Sequence, residues 1–86
     1  MTTRQIQLRY FASIREVIGT GSEPWHTAAG TLAELRDELV ARGGAHAEAL
    51  ARGRAVRVSL NQAMCDESAA LPEGAEVAFF PPVTGG

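Results

Sequence analysis

The chain has no lysine: all eight of its basic residues are arginine, in a sequence of 86 residues. A phosphate-binding P-loop lysine, a Schiff-base lysine and a side-chain isopeptide acceptor are therefore excluded from it. It has a single cysteine, Cys65, which rules out an internal disulfide and a multi-cysteine zinc site. The fold must stand without staples, as in a reduced cytoplasm. A charge excess is missing too. Eight basic residues against ten acidic ones leave a net charge of −2, and nucleic-acid binding would call for a strong basic surplus. No run approaches the roughly 20 apolar residues of a membrane helix. The N-terminus, MTTRQIQLRY, alternates in polarity and lacks the apolar stretch of a secretory signal. These absences predict a cytoplasmic protein with neither nucleic acid nor membrane as partner. What is present, 45% apolar and 21% charged residues, suits one small globular domain.

Residues 5–10 alternate strictly, with Ile6, Leu8 and Tyr10 on one side, which predicts a half-buried strand. Phe11, Ile14 and Ile18 then recur at helical spacing up to Gly19, predicting a short helix-like turn at 11–19. A weaker strand is expected at 22–28, where Pro24 suggests an edge position or an irregular entry. The clearest local signal lies in 31–44. Thr31 and Glu34 form a capping box, Leu32, Leu35 and Leu39 share a face with Val40 beside it, Arg42 suits the last turn, and Gly43 and Gly44 supply the C-cap. A shorter helix is expected at 45–53. A strand follows at 55–60, with Val56, Val58 and Leu60 inward and Arg57 and Ser59 outward. Asn61-Gln62 turns into a brief strand at 63–65, and Pro72-Glu73-Gly74 turns into a last strand at 76–80. Pro81 and Pro82 end the pairing, since neither carries an N–H.

Two strands, a crossover helix and three later strands fit an α+β β-grasp, or ubiquitin-like, fold, which the pattern alone makes one option among several α+β folds and the C-terminal motif at 76–86 favours. Its mixed sheet would have four to five strands and carry one main helix on one face. Residues 1–80 form this domain and 81–86 a tail. Two prolines favour an extended start to the tail, and six residues reach at most about 20 Å. The final pair, Gly85 and Gly86, has no side chains, so its backbone fits a narrow channel. A carboxylate so presented can be activated as an acyl adenylate and then converted to a thiocarboxylate by a sulfur nucleophile.

The segment EVAFFPPVTGG at 76–86 resembles the C-terminal signature of the molybdopterin synthase small-subunit family, ubiquitin-like sulfur carriers. YFASIREVIG at 10–19 and VSLNQAMC at 58–65 are similar to two further segments of that family, and Ala75 departs from it where an acidic residue is frequent. The resemblance implies that Gly86 is the reactive residue and that Pro81, Pro82, Val83, Thr84 and Gly85 are the arm presenting it. It implies an E1-like activating enzyme, which adenylates Gly86 with ATP and magnesium and then sulfurates it. It further implies a large synthase subunit, in a heterotetramer, where the sulfur passes to cyclic pyranopterin monophosphate. The chain itself would hold no permanent cofactor and no reaction centre. A carrier for thiamine, cysteine or transfer-RNA thiolation, or a protein modifier attached through Gly86, stand as alternatives.

If Val77 and Phe79 face the core, alternation puts Ala78 and Phe80 on the opposite side, where Met64 can join them. Phe80, read as an exposed aromatic, and Met64 are the expected partner-binding residues. Cys65 reads as a small packed hydrophobe. His26 and His46 read as surface residues without ligand spacing, and no metal site is expected. Asp66-Glu67 reads as a solvated loop. Arg52, Arg54 and Arg57 form a loose basic group, either solvated or facing an acidic partner.

Overall fold

The computed structural model describes residues 3–82. Its elements run β1 (Arg4–Tyr10), α1 (Ala12–Ile18), β2 (Ser22–Thr27), α2 (Leu32–Ala41), α3 (Gly44–Leu50), β3 (Arg57–Leu60), β4 (Ala63–Cys65) and β5 (Glu76–Phe80). The strands form a mixed sheet in the order β2-β1-β5-β3-β4. β1 and β5 pair in parallel and the other neighbours antiparallel. The last strand is thus the central one, and the strand containing Pro24 lies at an edge, as its missing N–H requires. This is the β-grasp arrangement.

The core lies between one sheet face and the helices. Ile6, Leu8, Tyr10, Val58, Val77 and Phe79 meet Leu32, Leu35 and Leu39 of α2 and Leu50 of α3 there. Each of these leucines, fully buried, contributes about 2 kcal/mol relative to an exposed one. Thr31 caps α2 by accepting the Glu34 N–H at 3.2 Å, while the Glu34 carboxylate accepts the Gly30 N–H at 2.7 Å. The reciprocal bond of the capping box therefore falls one residue before the cap. Gly43 does not close α2 with a left-handed turn. Its φ of +81° and ψ of −172° place it outside the reach of other residues, and it starts α3 instead. Asn61 and Gln62, at φ +50° and +72°, make the two-residue hairpin between β3 and β4.

Three expectations on element bounds are corrected. Phe11 does not line the helical face of Ile14. Its backbone is extended (φ −128°, ψ 155°), so it keeps the alternation of β1 and points away from Tyr10's side. The helix expected at 45–53 ends at Leu50, and the strand expected from 55 begins at Arg57. Arg36 braces the segment where the helix ends. This residue, only 4% exposed, donates to the carbonyls of Leu50 (2.7 Å), Ala51 (2.7 Å) and Arg54 (2.9 Å). The end of α3 and the turn after it are thereby tied to α2.

The same guanidinium pairs with Glu67 at 2.7 Å. Glu67 also accepts from Arg52 at 2.7 Å, and Arg52 holds Asp37 at 2.7 Å. Glu67 is therefore no solvated loop residue; it ties the segment after β4 to α2. His46 is likewise no surface residue. Its Nε2 lies 2.8 Å from Glu23, whose same carboxylate oxygen accepts the buried Tyr10 hydroxyl at 2.7 Å. A carboxylate oxygen can only accept here, so Nε2 carries a proton. His26 lies exposed on β2. Ala75 is buried, so a small apolar side chain suits this turn.

Candidate functional site

The strand register builds the site. Across the sheet face turned away from the helices, Arg9 (β1), Ala78 (β5), Ser59 (β3) and Met64 (β4) form one row. In the next row Phe80 stands opposite Arg57. Because side chains alternate along a strand, this face is fixed once Val77 and Phe79 enter the core. Both do. Phe80 is not the exposed aromatic expected from alternation alone. Phe11 packs edge to face against it at 5.7 Å between ring centres, leaving Phe80 half-buried and Phe11 42% exposed. Met64 is 54% exposed. Ala78 and Ser59 belong to the same face yet are buried, as small residues between larger neighbours.

Phe11 is the residue that sequence reasoning placed elsewhere. The available signal was the strand period: Phe11 continues β1 for one residue before Ala12 turns the chain at φ +51°. Its N–H donates to the Phe79 carbonyl at 3.2 Å, which fixes it beside the end of β5. The Arg9 guanidinium lies 5.7 Å over its ring and 3.1 Å from Glu76. The result is an aromatic pair, Phe11 and Phe80, bordered by charge and ending where Pro81 begins; Met64 is exposed on the same face two strands away, beyond Arg57 and Ser59 of β3. Pro81 itself lines a small cleft of about 70 Å³ with Ile14, Val17, Val56 and Arg54. Pro82 follows, and Val83, Thr84, Gly85 and Gly86 lie outside the described residues.

Cys65 sits half-buried against the core. Burial pushes its thiol pKa up, the Asp66 charge adds to this, and a backbone hydrogen bond at Leu60 partly offsets it. It is held as a thiol, the form that does not act as a nucleophile. Among the described residues no helix is long and apolar enough to cross a membrane.

A β-grasp domain with its last strand at the centre of the sheet, and an aromatic pair at that strand's end, is of the ubiquitin-like class. The chain belongs to the ThiS family, whose model matches residues 8–86. It is 36% identical over 81 residues to the molybdopterin synthase sulfur carrier subunit of Haemophilus influenzae, covering 94% of this chain and 99% of the relative. Two solved structures are similar. One is a complex of subunits 1 and 2 of the molybdopterin-converting factor from Helicobacter pylori, at 28% identity and TM-score 0.63, covering 95% of this chain and 99% of that one. The other is small archaeal modifier protein 1 of Haloferax volcanii, at 26% identity and TM-score 0.74, covering 93% and 99%.

Proposed function

We propose that this chain is the sulfur-carrying small subunit of a molybdopterin synthase. The observation that carries the reading is the partly exposed aromatic pair of Phe11 and Phe80 at the end of the central strand, with Met64 exposed on the same sheet face, directly before residues 81–86. The domain serves as a handle. This face docks on a protein partner, and the residues after Pro81 deliver the terminal carboxylate to that partner's reaction centre.

The chemistry proceeds in balanced steps. A Gly86 carboxylate oxygen attacks the α-phosphorus of ATP within an E1-like activating enzyme, with magnesium, and pyrophosphate leaves. Hydrosulfide, or an equivalent at the same oxidation level, then attacks the acyl carbon and AMP departs, leaving a thiocarboxylate and a proton. In the large subunit this sulfur displaces an oxygen substituent from a carbon of cyclic pyranopterin monophosphate, the C–S bond forming as the C–O bond breaks, which leaves Gly86 joined to the product as a thioester. Water then cleaves the acyl bond and restores the Gly86 carboxylate for another round. Two charged small subunits supply the two sulfurs of one dithiolene. The chain contributes neither base nor metal to these steps; it contributes the acyl group and its placement.

The test is intact-mass measurement after coexpression with the cognate activating enzyme and a sulfur source. The expected result is a mass gain of one oxygen replaced by sulfur, confined to the C-terminal peptide and lost when Gly86 is deleted. Formation of the dithiolene product with the large subunit then assigns the pathway; a charged protein that yields none belongs to another thiolation route. Conjugates to other proteins that survive reduction, without thiocarboxylate, would overturn the carrier reading in favour of a modifier.

A further inference from the structure

The arginines divide into two groups. Arg9, Arg36, Arg42 and Arg52 each lie within 4 Å of a carboxylate. Arg4, Arg15, Arg54 and Arg57 have no carboxylate at that distance among the described residues; Arg4 donates to the Ala29 carbonyl at 3.2 Å and Arg15 lies on α1, while Arg54 and Arg57 are exposed near the end of β5. The apparent basic trio of 52, 54 and 57 is therefore a pair: Arg52 is spent on Asp37 and Glu67 inside the fold. The pair has a specific place. Arg57 is the cross-strand partner of Phe80, on the face of the aromatic pair. Arg54 lines the cleft with Pro81. Two cations thus flank the point where the tail leaves a domain whose net charge is −2.

We infer that the protein surface receiving this tail carries carboxylates opposite Arg54 and Arg57, around an apolar seat for Phe11, Phe80 and Met64. This rests on the docking reading above and adds the charge of the partner to it. The two parts act at different stages. Exposed rim charges attract a partner over a Debye length and so raise the association rate, whereas desolvated apolar side chains set how long the complex lasts. The arginines also orient the encounter. They mark the tail's side of the domain, so an acidic channel mouth meets the end that must enter it.

The experiment measures association and dissociation rates with the cognate large subunit by stopped flow at low and high salt. It compares the native chain, Arg54→Gln/Arg57→Gln, Arg54→Glu/Arg57→Glu and Phe80→Ala. The neutral double variant is expected to associate about 3- to 10-fold more slowly at low salt, and the reversed one more than 10-fold, with dissociation within about twofold. The salt dependence should flatten in the first and invert in the second. Thermal melts show that each variant remains folded. Association rates that are insensitive to both charge changes, while Phe80→Ala still weakens the complex, would overturn this inference and leave the docking face standing. A native chain that does not bind the large subunit at all would overturn both.

Discussion

Phe79 and Phe80 are adjacent on the same strand and chemically identical, yet they serve opposite ends. Phe79 is completely buried beneath the helices and stacks near Tyr10 at 6.3 Å. Phe80 points to the other face, half-covered by Phe11. One sheet face is consumed by folding and the other stays partly open, the face to which the proposed docking is assigned. The buried core position and the proposed recognition position are thus separated by the period of a strand, one residue apart.

The comparison can be broken most forcefully from the buried side. Phe79→Ala leaves a cavity at the centre of the sheet and should cost about 3–5 kcal/mol, read by denaturant unfolding. A cost below about 1 kcal/mol would mean that the core is not organised around β5. Next in size is Arg36→Ala, which strips donors from three carbonyls and one side of Glu67. A loss of about 3 kcal/mol is expected, with faster amide exchange in residues 50–56 as the local signature.

Phe80→Ala sharpens the contrast with its neighbour. Stability should fall by only about 1 kcal/mol, the loss of a half-buried side chain, while calorimetry should show at least 10-fold weaker binding to the large subunit. The reverse pattern would assign Phe80 to the core. The smallest effect concerns the polar cluster behind Tyr10. Burial pushes the Glu23 carboxyl up, but hydrogen bonds from His46 and Tyr10 and the charges of His46 and Arg42 outweigh it and hold its pKa below the usual carboxylate range. A lowered folded-state pKa stabilises at pH values above the ordinary one, and that stability is lost as pH falls through the folded value. Glu23→Gln should therefore flatten the acid limb of the stability curve below about pH 5. An unchanged limb would show that the cluster is not a net anchor.

Much of this molecule was legible as sequence because the relevant signals are local. The alternation of Ile6, Leu8 and Tyr10, the Thr31–Glu34 cap and the leucine stripe each reflect backbone geometry within a few residues. The turn glycine Gly74, at φ +76°, answers to the same local rule. Phe11 was misplaced because a strand period and a helix period meet at that residue. Only the extended backbone decides between them. His46 and Glu67 were misjudged because their partners are 23 and 31 residues away, in Glu23 and Arg36.

By itself the sequence determined the order of elements, the capped main helix, the strand that precedes Pro81-Pro82 and the glycine pair at 85–86. These follow from periodicity, turn chemistry and motif, all read along the chain. The tertiary structure alone decided that Phe11 shields Phe80. It also decided that Arg52 is spent internally while Arg54 and Arg57 remain at the tail's root, and that Tyr10, Glu23 and His46 share one proton-bonding centre. The physical reason is that side-chain charge and apolar surface are satisfied by whatever folding brings within a few ångströms. Only what it leaves over can meet a partner.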